Sequence, residues 1–270
     1  PDAMGLGLHF VEGEGPKFSS PIQTANDVAK LTIPEPETDL AYVMDTVRLV
    51  RHELNNRIPL IGFAGSPWTI ASYMIEGGSS KTFSKIKKML YAEPHILKRL
   101  LDILSQSIIT YINAQIAAGV QVVMLFDTWG GILTGDDYRE FSLQYMQHII
   151  AHINRQANDQ IVPIIVFTKN GGQWLTDIAH CGCDAVGLDW TIDIRTARQQ
   201  IGDSVALQGN MDPCILYTNP KQIRKKAHDI LARYGQGAGH IFNLGHGILP
   251  DVPPEHVAAL IDAVHEYRHN

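Results

Sequence analysis

The chain has 270 residues, of which 45% are hydrophobic and 19% charged, and its formal net charge is −6. This composition is ordinary for a globular protein, and the negative balance gives no general attraction to nucleic acid or to an anionic membrane. No apolar run approaches the roughly 20 residues of a bilayer span. Three cysteines without a CxxC pair argue against a disulfide framework. We therefore expect a globular protein of a reducing compartment such as the cytosol.

The N-terminal part is predicted to be mostly loop. Glycines interrupt any helical period in residues 1–40, and the segment 33–37 alternates proline with glutamate. A helical apolar pattern then covers residues 39–55, with Asp39 as a candidate cap.

The stretch 59–78 combines a buried strand with a conformationally special loop. Residues 60–64 are an apolar run between a proline and a glycine, which predicts a short strand. Ser66 is placed to cap a helix that begins at Pro67, and the helical pattern stops at Gly77. In parallel α/β folds ligands bind just past the carboxyl end of such a strand. The loop is therefore either part of a binding site or a tight structural turn.

The rest of the chain alternates strands with helices. Six strands are predicted, each followed by a helix: 60–64, 120–126, 163–168, 185–188, 205–208 and 240–244. The longest helix is predicted over 94–118, and another over 136–156. Neither GxGxxG nor GxxxxGK[ST] occurs, so a closed barrel accounts better for the alternation than an open nucleotide-binding sheet does. We expect one α/β domain over residues 1–270, a (β/α)8 TIM-type barrel with about six of its eight units visible and its two N-terminal β/α units absent.

Polar and aromatic residues directly follow the predicted strands, where a barrel gathers its functional groups. They are Ser66, Tyr73, Asp127, Thr128, Trp129, Lys169, Asn170, Asp189, Trp190, Asn210, Asp212 and His246. The carboxylates of Asp127, Asp189 and Asp212 are either general acids or bases, or caps of turns. His246 lies between two glycines and is either exposed at the ligand site or a satisfied core histidine.

A cysteine and histidine cluster invites comparison with a zinc site. His180, Cys181 and Cys183 are close in sequence, but they precede the strand 185–188 and so belong to the opposite face of a barrel. Buried thiols at a helix-to-strand turn are the favoured interpretation, and we predict no metal. The absence of a GxSxG motif gives acyl transfer little support.

Several of these segments together resemble one enzyme family. They are residues 62–69 (GFAGSPWT) followed by Tyr73 and Glu76-Gly77, residues 126–131 (FDTWGG), 187–191 (GLDWT), 207–213 (LQGNMDP) and 243–251 (NLGHGILPD). Their types and order resemble uroporphyrinogen decarboxylase over essentially the whole chain. The resemblance implies a (β/α)8 barrel, usually homodimeric, cytosolic in bacteria, and active without metal or organic cofactor. The implied reaction removes the four acetate carboxyl groups of uroporphyrinogen III as CO2, giving coproporphyrinogen III in tetrapyrrole (heme) biosynthesis.

The same resemblance assigns residue roles. It implies that Tyr73, Thr128 and His246 hydrogen-bond the tetrapyrrole substrate, and we infer that Phe126 and Trp129 pack against the macrocycle. The family's arginine-rich motif and catalytic aspartate come before the segment that resembles the start of this chain. The expected acidic residue therefore lies before Pro1, and these residues alone are expected to be inactive; Asp2 is not that acid.

Two alternatives of other classes remain open at this point. One is a cobalamin- or zinc-dependent methyltransferase on the same fold, which needs thiolate and imidazole ligands at the strand ends. The other is a protein that binds a tetrapyrrole or another anion without turnover.

Overall fold

The computed structural model describes residues 1–11, 15–157 and 160–268. By contacts between residues the chain divides into two compact units, Pro1–Ile164 and Ile165–Asn270. Within the described ranges, no helix has both the length and the apolar character that crossing a membrane requires.

The first unit opens with structure where the sequence predicts loop. After a π-helical turn, Asp2–Leu6, strand β1 (Leu8–Val11) pairs in antiparallel fashion with β2 (Gly15–Phe18). Two short helices follow, α1 (Ala25–Ala29) and α2 (Pro36–Asp39). The prediction of mostly loop for residues 1–40 is therefore wrong where the structure has the β1–β2 pair and the two short helices.

Two of the glycines that suggested a loop have a different role. Gly5 and Gly7 have φ of 103° and 67°, a region that favours glycine, and they turn the chain from the π-helical segment into the hairpin. The prediction that Asp39 caps the helix over residues 39–55 is also wrong. Asp39 belongs to α2, where its Oδ2 accepts a hydrogen bond of 2.8 Å from the Glu35 N–H.

The middle of the first unit follows the predicted alternation closely. Its elements are α3 (Ala41–Leu54), β3 (Ile61–Gly65), α4 (Pro67–Glu76), α5 (Ser84–Ala92), α6 (Pro94–Ala118) and β4 (Val122–Asp127). Strands β3 and β4 are parallel, with Ile61 opposite Val122. Helix α6 contacts α3, α4, α5 and β3, and its stripe of fully buried leucines and isoleucines forms the centre of this unit's core. Each such side chain contributes about 1.5–3 kcal/mol through burial.

The last part of the first unit is more broken than predicted. It contains α7 (Gly135–Tyr138), a π-helical segment (Arg139–Leu143), α8 (Gln144–His152) and a short antiparallel pair, β5 (Gln156–Ala157) with β6 (Gln160–Ile161). The predicted helix 136–156 ends at His152, because Ile153 adopts an extended backbone with ψ of 142°. The large side chains that form the inward face of this region are buried: Tyr138, Phe141, Tyr145, Ile149 and Ile153.

The second unit contains four parallel strands, of which the first starts at the boundary residue. The strands β7 (Ile164–Thr168), β8 (Ala185–Gly187), β9 (Ala206–Met211) and β10 (His240–Leu244) pair in that order. The helices α9 (Leu175–Ala179), α10 (Ile194–Ile201), α11 (Pro220–Tyr234) and α12 (Pro254–Glu266) alternate with them. The prediction of an α/β fold with six strand-then-helix units is thereby confirmed.

Candidate active site

In the first unit, the loop after β3 is fixed by the cap of α4. Ser66 has an extended backbone, and its Oγ accepts a hydrogen bond of 3.0 Å from the Thr69 N–H. Pro67 occupies the first helical position, where its missing N–H costs nothing. The Ser66 N–H in turn donates to the Phe126 carbonyl at 2.8 Å, so the ends of β3 and β4 are joined. The predicted strand, cap and helix are confirmed, including the end of α4 at Gly77, with φ of 84°.

The Asp127 carboxylate lies at the end of β4 and has no exposed surface. Its Oδ1 accepts hydrogen bonds from Ser66 Oγ at 2.6 Å and Thr69 Oγ1 at 3.0 Å, and its Oδ2 accepts from Ser142 Oγ at 2.7 Å. Burial raises the pKa of Asp127, while these hydroxyl groups and the Gly130 N–H oppose that rise. A fully buried carboxylate with its oxygens occupied in this way is an anchor for neighbouring backbone, and it has no surface with which to meet a substrate.

Thr128 and Trp129, which follow Asp127, are both half-buried. The Trp129 ring has its centroid 6.2 Å from that of Tyr73 in an edge-on arrangement, and 4.5 Å from that of Phe83. Tyr73 is also half-buried, on α4. The first unit therefore brings Tyr73 and the loop that carries Thr128 together through the Trp129 ring.

In the second unit, Asp189 fixes the loop after β8. Its Oδ1 accepts hydrogen bonds from the Thr191 N–H at 2.8 Å and Thr191 Oγ1 at 2.5 Å, and its Oδ2 accepts from the Asn170 N–H. The Asn210 amide donates to the Asp189 carbonyl at 2.8 Å and to the Ile192 carbonyl at 2.6 Å. Asp189 and Asn210 therefore connect the loops that follow β7, β8 and β9.

His246 lies just past the end of β10 and is exposed. Its ring makes T-shaped contacts with two aromatic rings, with centroid distances of 6.3 Å to Phe167 and 6.2 Å to Trp190. Its Nδ1 accepts a hydrogen bond of 2.7 Å from the Gly247 N–H, so the neutral ring carries its proton on Nε2. Partial burial, and next the positive charge of Lys169, lower the pKa of His246. A neutral Nε2–H donor is thereby available at neutral pH.

A cation accompanies this histidine. The Lys169 Nζ lies 5.9 Å from the centroid of the Trp190 ring, close enough for a cation–π contact. Together Lys169 and His246 give the strand ends of the second unit one positive charge and one neutral donor, a combination that suits a carboxylate ligand.

The three carboxylates left open by the sequence have different surroundings. Asp127 and Asp189 are buried and hold loops, whereas Asp212 accepts a hydrogen bond of 2.9 Å from the Cys214 N–H and caps the turn Pro213–Tyr217. In this structure all three carboxylates accept hydrogen bonds from neighbouring backbone or hydroxyl groups. Sequence reasoning missed Thr69 and Ser142, because a hydroxyl inside a helical pattern carries no local signal of a partner distant in sequence.

The cysteine cluster is buried at the turn before β8. Cys181 and Cys183 are free thiols, each less than a tenth exposed, and they are hydrogen-bonded to each other. The Cys183 Sγ also lies 3.5 Å from the Ile178 carbonyl. This is the buried-thiol arrangement favoured by the sequence.

Comparison with known proteins decides the family. The family described as uroporphyrinogen decarboxylase (URO-D) matches residues 1–267. The chain belongs to the uroporphyrinogen decarboxylase family. It is 60% identical to the uroporphyrinogen decarboxylase of Proteus mirabilis (strain HI4320) over 265 residues, which are 98% of this chain and 74% of that protein. It is 61% identical to that of Serratia proteamaculans (strain 568) over 265 residues, or 98% of this chain and 75% of the relative.

Solved structures add the fold. A methyltransferase from Methanosarcina mazei superposes with a TM-score of 0.82 at 22% identity, covering 98% of this chain and 76% of its own. A B12-independent methionine synthase from Shewanella sp. W3-18-1 gives a TM-score of 0.56 at 10% identity, and the match covers 96% of this chain and 72% of the synthase. At such identities the likeness concerns the fold alone, so it lends the methyltransferase alternative no support. The uroporphyrinogen decarboxylase family is thus identified by sequence, and these structures share its architecture.

Proposed function

We propose that this protein is a carboxy-lyase that converts uroporphyrinogen III to coproporphyrinogen III in tetrapyrrole biosynthesis. The observation that carries the proposal is the family match over residues 1–267, together with 60% identity to the uroporphyrinogen decarboxylase of Proteus mirabilis. The side chains at the strand ends suit the reaction, since they are neutral hydrogen-bond donors, aromatic rings and a lysine rather than a nucleophile and base pair.

The chemistry asks for carboxylate recognition and charge stabilisation. Protonation of a pyrrole carbon makes the ring an electron acceptor. Cleavage of the acetate C–C bond releases CO2 and sends the bonding pair into that ring. A proton then adds to the former methylene carbon, giving a methyl group, and the ring carbon loses its proton. This sequence balances without a metal or an organic cofactor, and we propose that none is used.

The proposed binding residues each have a hydrogen to donate. Tyr73 Oη, Thr128 Oγ1 and His246 Nε2 are assigned to substrate carboxylates, where a hydrogen bond to a charged group contributes about 1.5–3 kcal/mol. Lys169 supplies a positive charge next to His246. Because the chain has a net charge of −6, an anionic substrate needs such a local positive charge in order to bind. Phe126, near the end of β4, and Trp129, in the loop that follows, are assigned to the macrocycle face.

We further propose that the complete protein forms one (β/α)8 barrel, with two more N-terminal β/α units packed against β3. Phe63 and Ile61 on this strand are 60% and 42% exposed, an unusual situation for such side chains on a parallel strand. The chain spans about three quarters of the length of its relatives. The replacement Phe63→Ser should cost this chain about 1 kcal/mol, chiefly through loss of the edge-on contact between the Phe63 and Phe126 rings. In a protein that carries the additional units, the same change should cost about 3 kcal/mol or more.

The decisive assay measures CO2 and coproporphyrinogen from uroporphyrinogen III, with a chelator present. Two samples are compared: this chain, and a chimera that joins to its N-terminus the part of the Proteus mirabilis relative that precedes the matched region. We expect the chimera to remove all four acetate carboxyl groups and this chain alone to be inactive. Intact substrate bound by the chimera without any product would refute the enzyme proposal and favour the binding protein. Activity that chelation abolishes would refute the cofactor-free mechanism.

Location and assembly complete the proposal. We propose a cytoplasmic enzyme, because all three cysteines are free and Cys214 is exposed. We also propose a homodimer, for which Trp190, Ile248 and Leu249 offer exposed apolar surface around His246. Light scattering on the chimera should give twice the monomer mass, and a monomer at micromolar concentration would refute the dimer. Subcellular fractionation tests the compartment.

A further inference from the structure

The Asp127 carboxylate is connected to the ligand loop through one hydroxyl group. Asp127 itself has no exposed surface and accepts three hydroxyl hydrogen bonds. One of these donors, Thr69 Oγ1, also accepts a hydrogen bond of 3.1 Å from the Trp129 N–H. A threonine hydroxyl has a single proton. Because that proton goes to the carboxylate, the oxygen lone pair is turned toward Trp129.

The other side of Trp129 is held from the same helix. The Trp68 Nε1–H donates to the Trp129 carbonyl at 2.9 Å, and Trp68 itself is fully buried. Both peptide groups of Trp129 are therefore bound by neighbouring residues in the first turn of α4, Trp68 and Thr69. The backbone of Trp129 has little freedom while these two bonds and the Asp127 anchor persist.

Thr128 lies between these two fixed points. Asp127, the residue before Thr128, is held by the hydrogen bonds of its carboxylate. Trp129, the residue after Thr128, is held by the hydrogen bonds of its N–H and carbonyl groups. The ring of Trp129, which contacts Tyr73, is oriented by the same bonds. Two of the three proposed substrate residues, Tyr73 and Thr128, thus depend on the buried hydrogen bonds from Asp127 through Thr69 to Trp129, which we call the relay. The relay does not itself reach the half-buried surface of the loop.

We propose that Asp127 and Thr69 are positioning residues of the decarboxylase, which hold Thr128 and the Trp129 ring in the geometry that receives a tetrapyrrole carboxylate. The inference rests on the proposed function, because the receiving geometry has meaning only for that ligand. Neither residue touches the substrate in this account, and both act through the Trp129 backbone.

The variant Thr69→Val isolates the relay, because valine keeps the shape of threonine and removes the hydroxyl group. Thr69→Ser restores the hydroxyl with a smaller side chain. A matched control is Ser105→Ala on α6, which also removes a buried hydroxyl, here one that donates to the Leu101 carbonyl at 2.8 Å. That control lies in the core, and its hydrogen bond stays within α6.

Two measurements on the chimera test the inference. Hydrogen exchange of the Trp129 amide, followed by NMR, should accelerate about tenfold or more in Thr69→Val and stay unchanged in Ser105→Ala. Steady-state kinetics should show a loss in kcat/KM of about tenfold for Thr69→Val, mainly through KM, with recovery in Thr69→Ser. Thermal unfolding of each variant separates this effect from a general loss of stability.

The outcomes separate the two proposals. Unchanged Trp129 exchange in Thr69→Val would overturn the positioning role whether or not the wild type is active. Equal losses of kcat/KM in Thr69→Val and Ser105→Ala, in line with their unfolding temperatures, would overturn it as well. A wild-type chimera without activity refutes the proposed function, and with it the link to a tetrapyrrole carboxylate, while the exchange result still decides whether Thr69 holds the loop.

Discussion

Gly245, the residue before His246, packs against the loop that follows β8 with no room for a side chain. A Cβ atom at this position lies 2.5 Å from the Trp190 backbone nitrogen and 2.9 Å from the Asp189 carbonyl carbon. Favourable contacts between such atoms need about 3.5 Å, so Gly245→Ala must move two backbone segments apart by about 1 Å. The Gly245 N–H also donates to the Met211 carbonyl at 2.7 Å, which limits how far the chain can retreat.

The expected cost follows from this overlap. Overpacking of well-ordered interiors costs about 1–3 kcal/mol. For a protein of this size each kcal/mol lowers the melting temperature by about 2–4 °C, so Gly245→Ala should lower it by about 2–12 °C. Displacement of His246 by about 1 Å should also reduce kcat/KM of the chimera by about 100-fold.

Gly247, on the other side of His246, provides the matched control. A Cβ atom there has no neighbour within 4 Å, so Gly247→Ala should leave the melting temperature of this chain unchanged. Thermal unfolding followed by circular dichroism compares the two variants with the wild type. Equal melting temperatures for all three proteins would refute the close packing of Gly245 on Asp189 and Trp190.

Three further outcomes concern the second unit. His246→Gln, whose amide nitrogen occupies the place of Nε2, should bind the substrate within about threefold of the wild type, while His246→Asn should lose about tenfold, measured by titration with the tetrapyrrole. The lowered pKa of His246 means that the folded state prefers the neutral ring, so the contribution of His246 to stability is present above the unfolded pKa near 6.5 and is lost as pH falls through the folded pKa. NMR titration should give His246 a pKa below 6.5, and this pKa should rise in Lys169→Met. An unshifted pKa in the wild type contradicts the burial argument. Asn210→Ala should cost about 1–3 kcal/mol in urea unfolding, since it leaves the Asp189 and Ile192 carbonyls without their amide donor, and a smaller loss contradicts the assigned hydrogen bonds.

Local patterns predicted the regular elements well. The strand over 60–64, the Ser66 cap and the helix from Pro67 were all recognised from short-range rules, and the structure confirms each of them. The same is true of helix α6, predicted over 94–118. These features depend on residues a few positions apart, so one sequence contains the information that determines them.

Errors arose where pairing or backbone choice depends on other parts of the chain. The β1–β2 hairpin lies in a glycine-rich segment that has no alternating pattern, and α8 stops at His152 although apolar residues continue to Ile153. The likeness of Tyr73, Thr128 and His246 to family positions supplied a proposal for substrate contacts. It supplied nothing about the groups that hold those side chains in place.

By itself, the sequence determined the alternation of parallel strands and helices, the Ser66 cap and the family, because all of these are read from neighbouring residues and their order. Only the tertiary structure decided which groups the carboxylates contact. Asp127 was equally consistent with a catalytic acid and a cap until Ser66, Thr69 and Ser142, from separate segments, were seen to occupy its oxygens. Burial and hydrogen bonding are properties of the assembled core, and no residue carries them in its own sequence context.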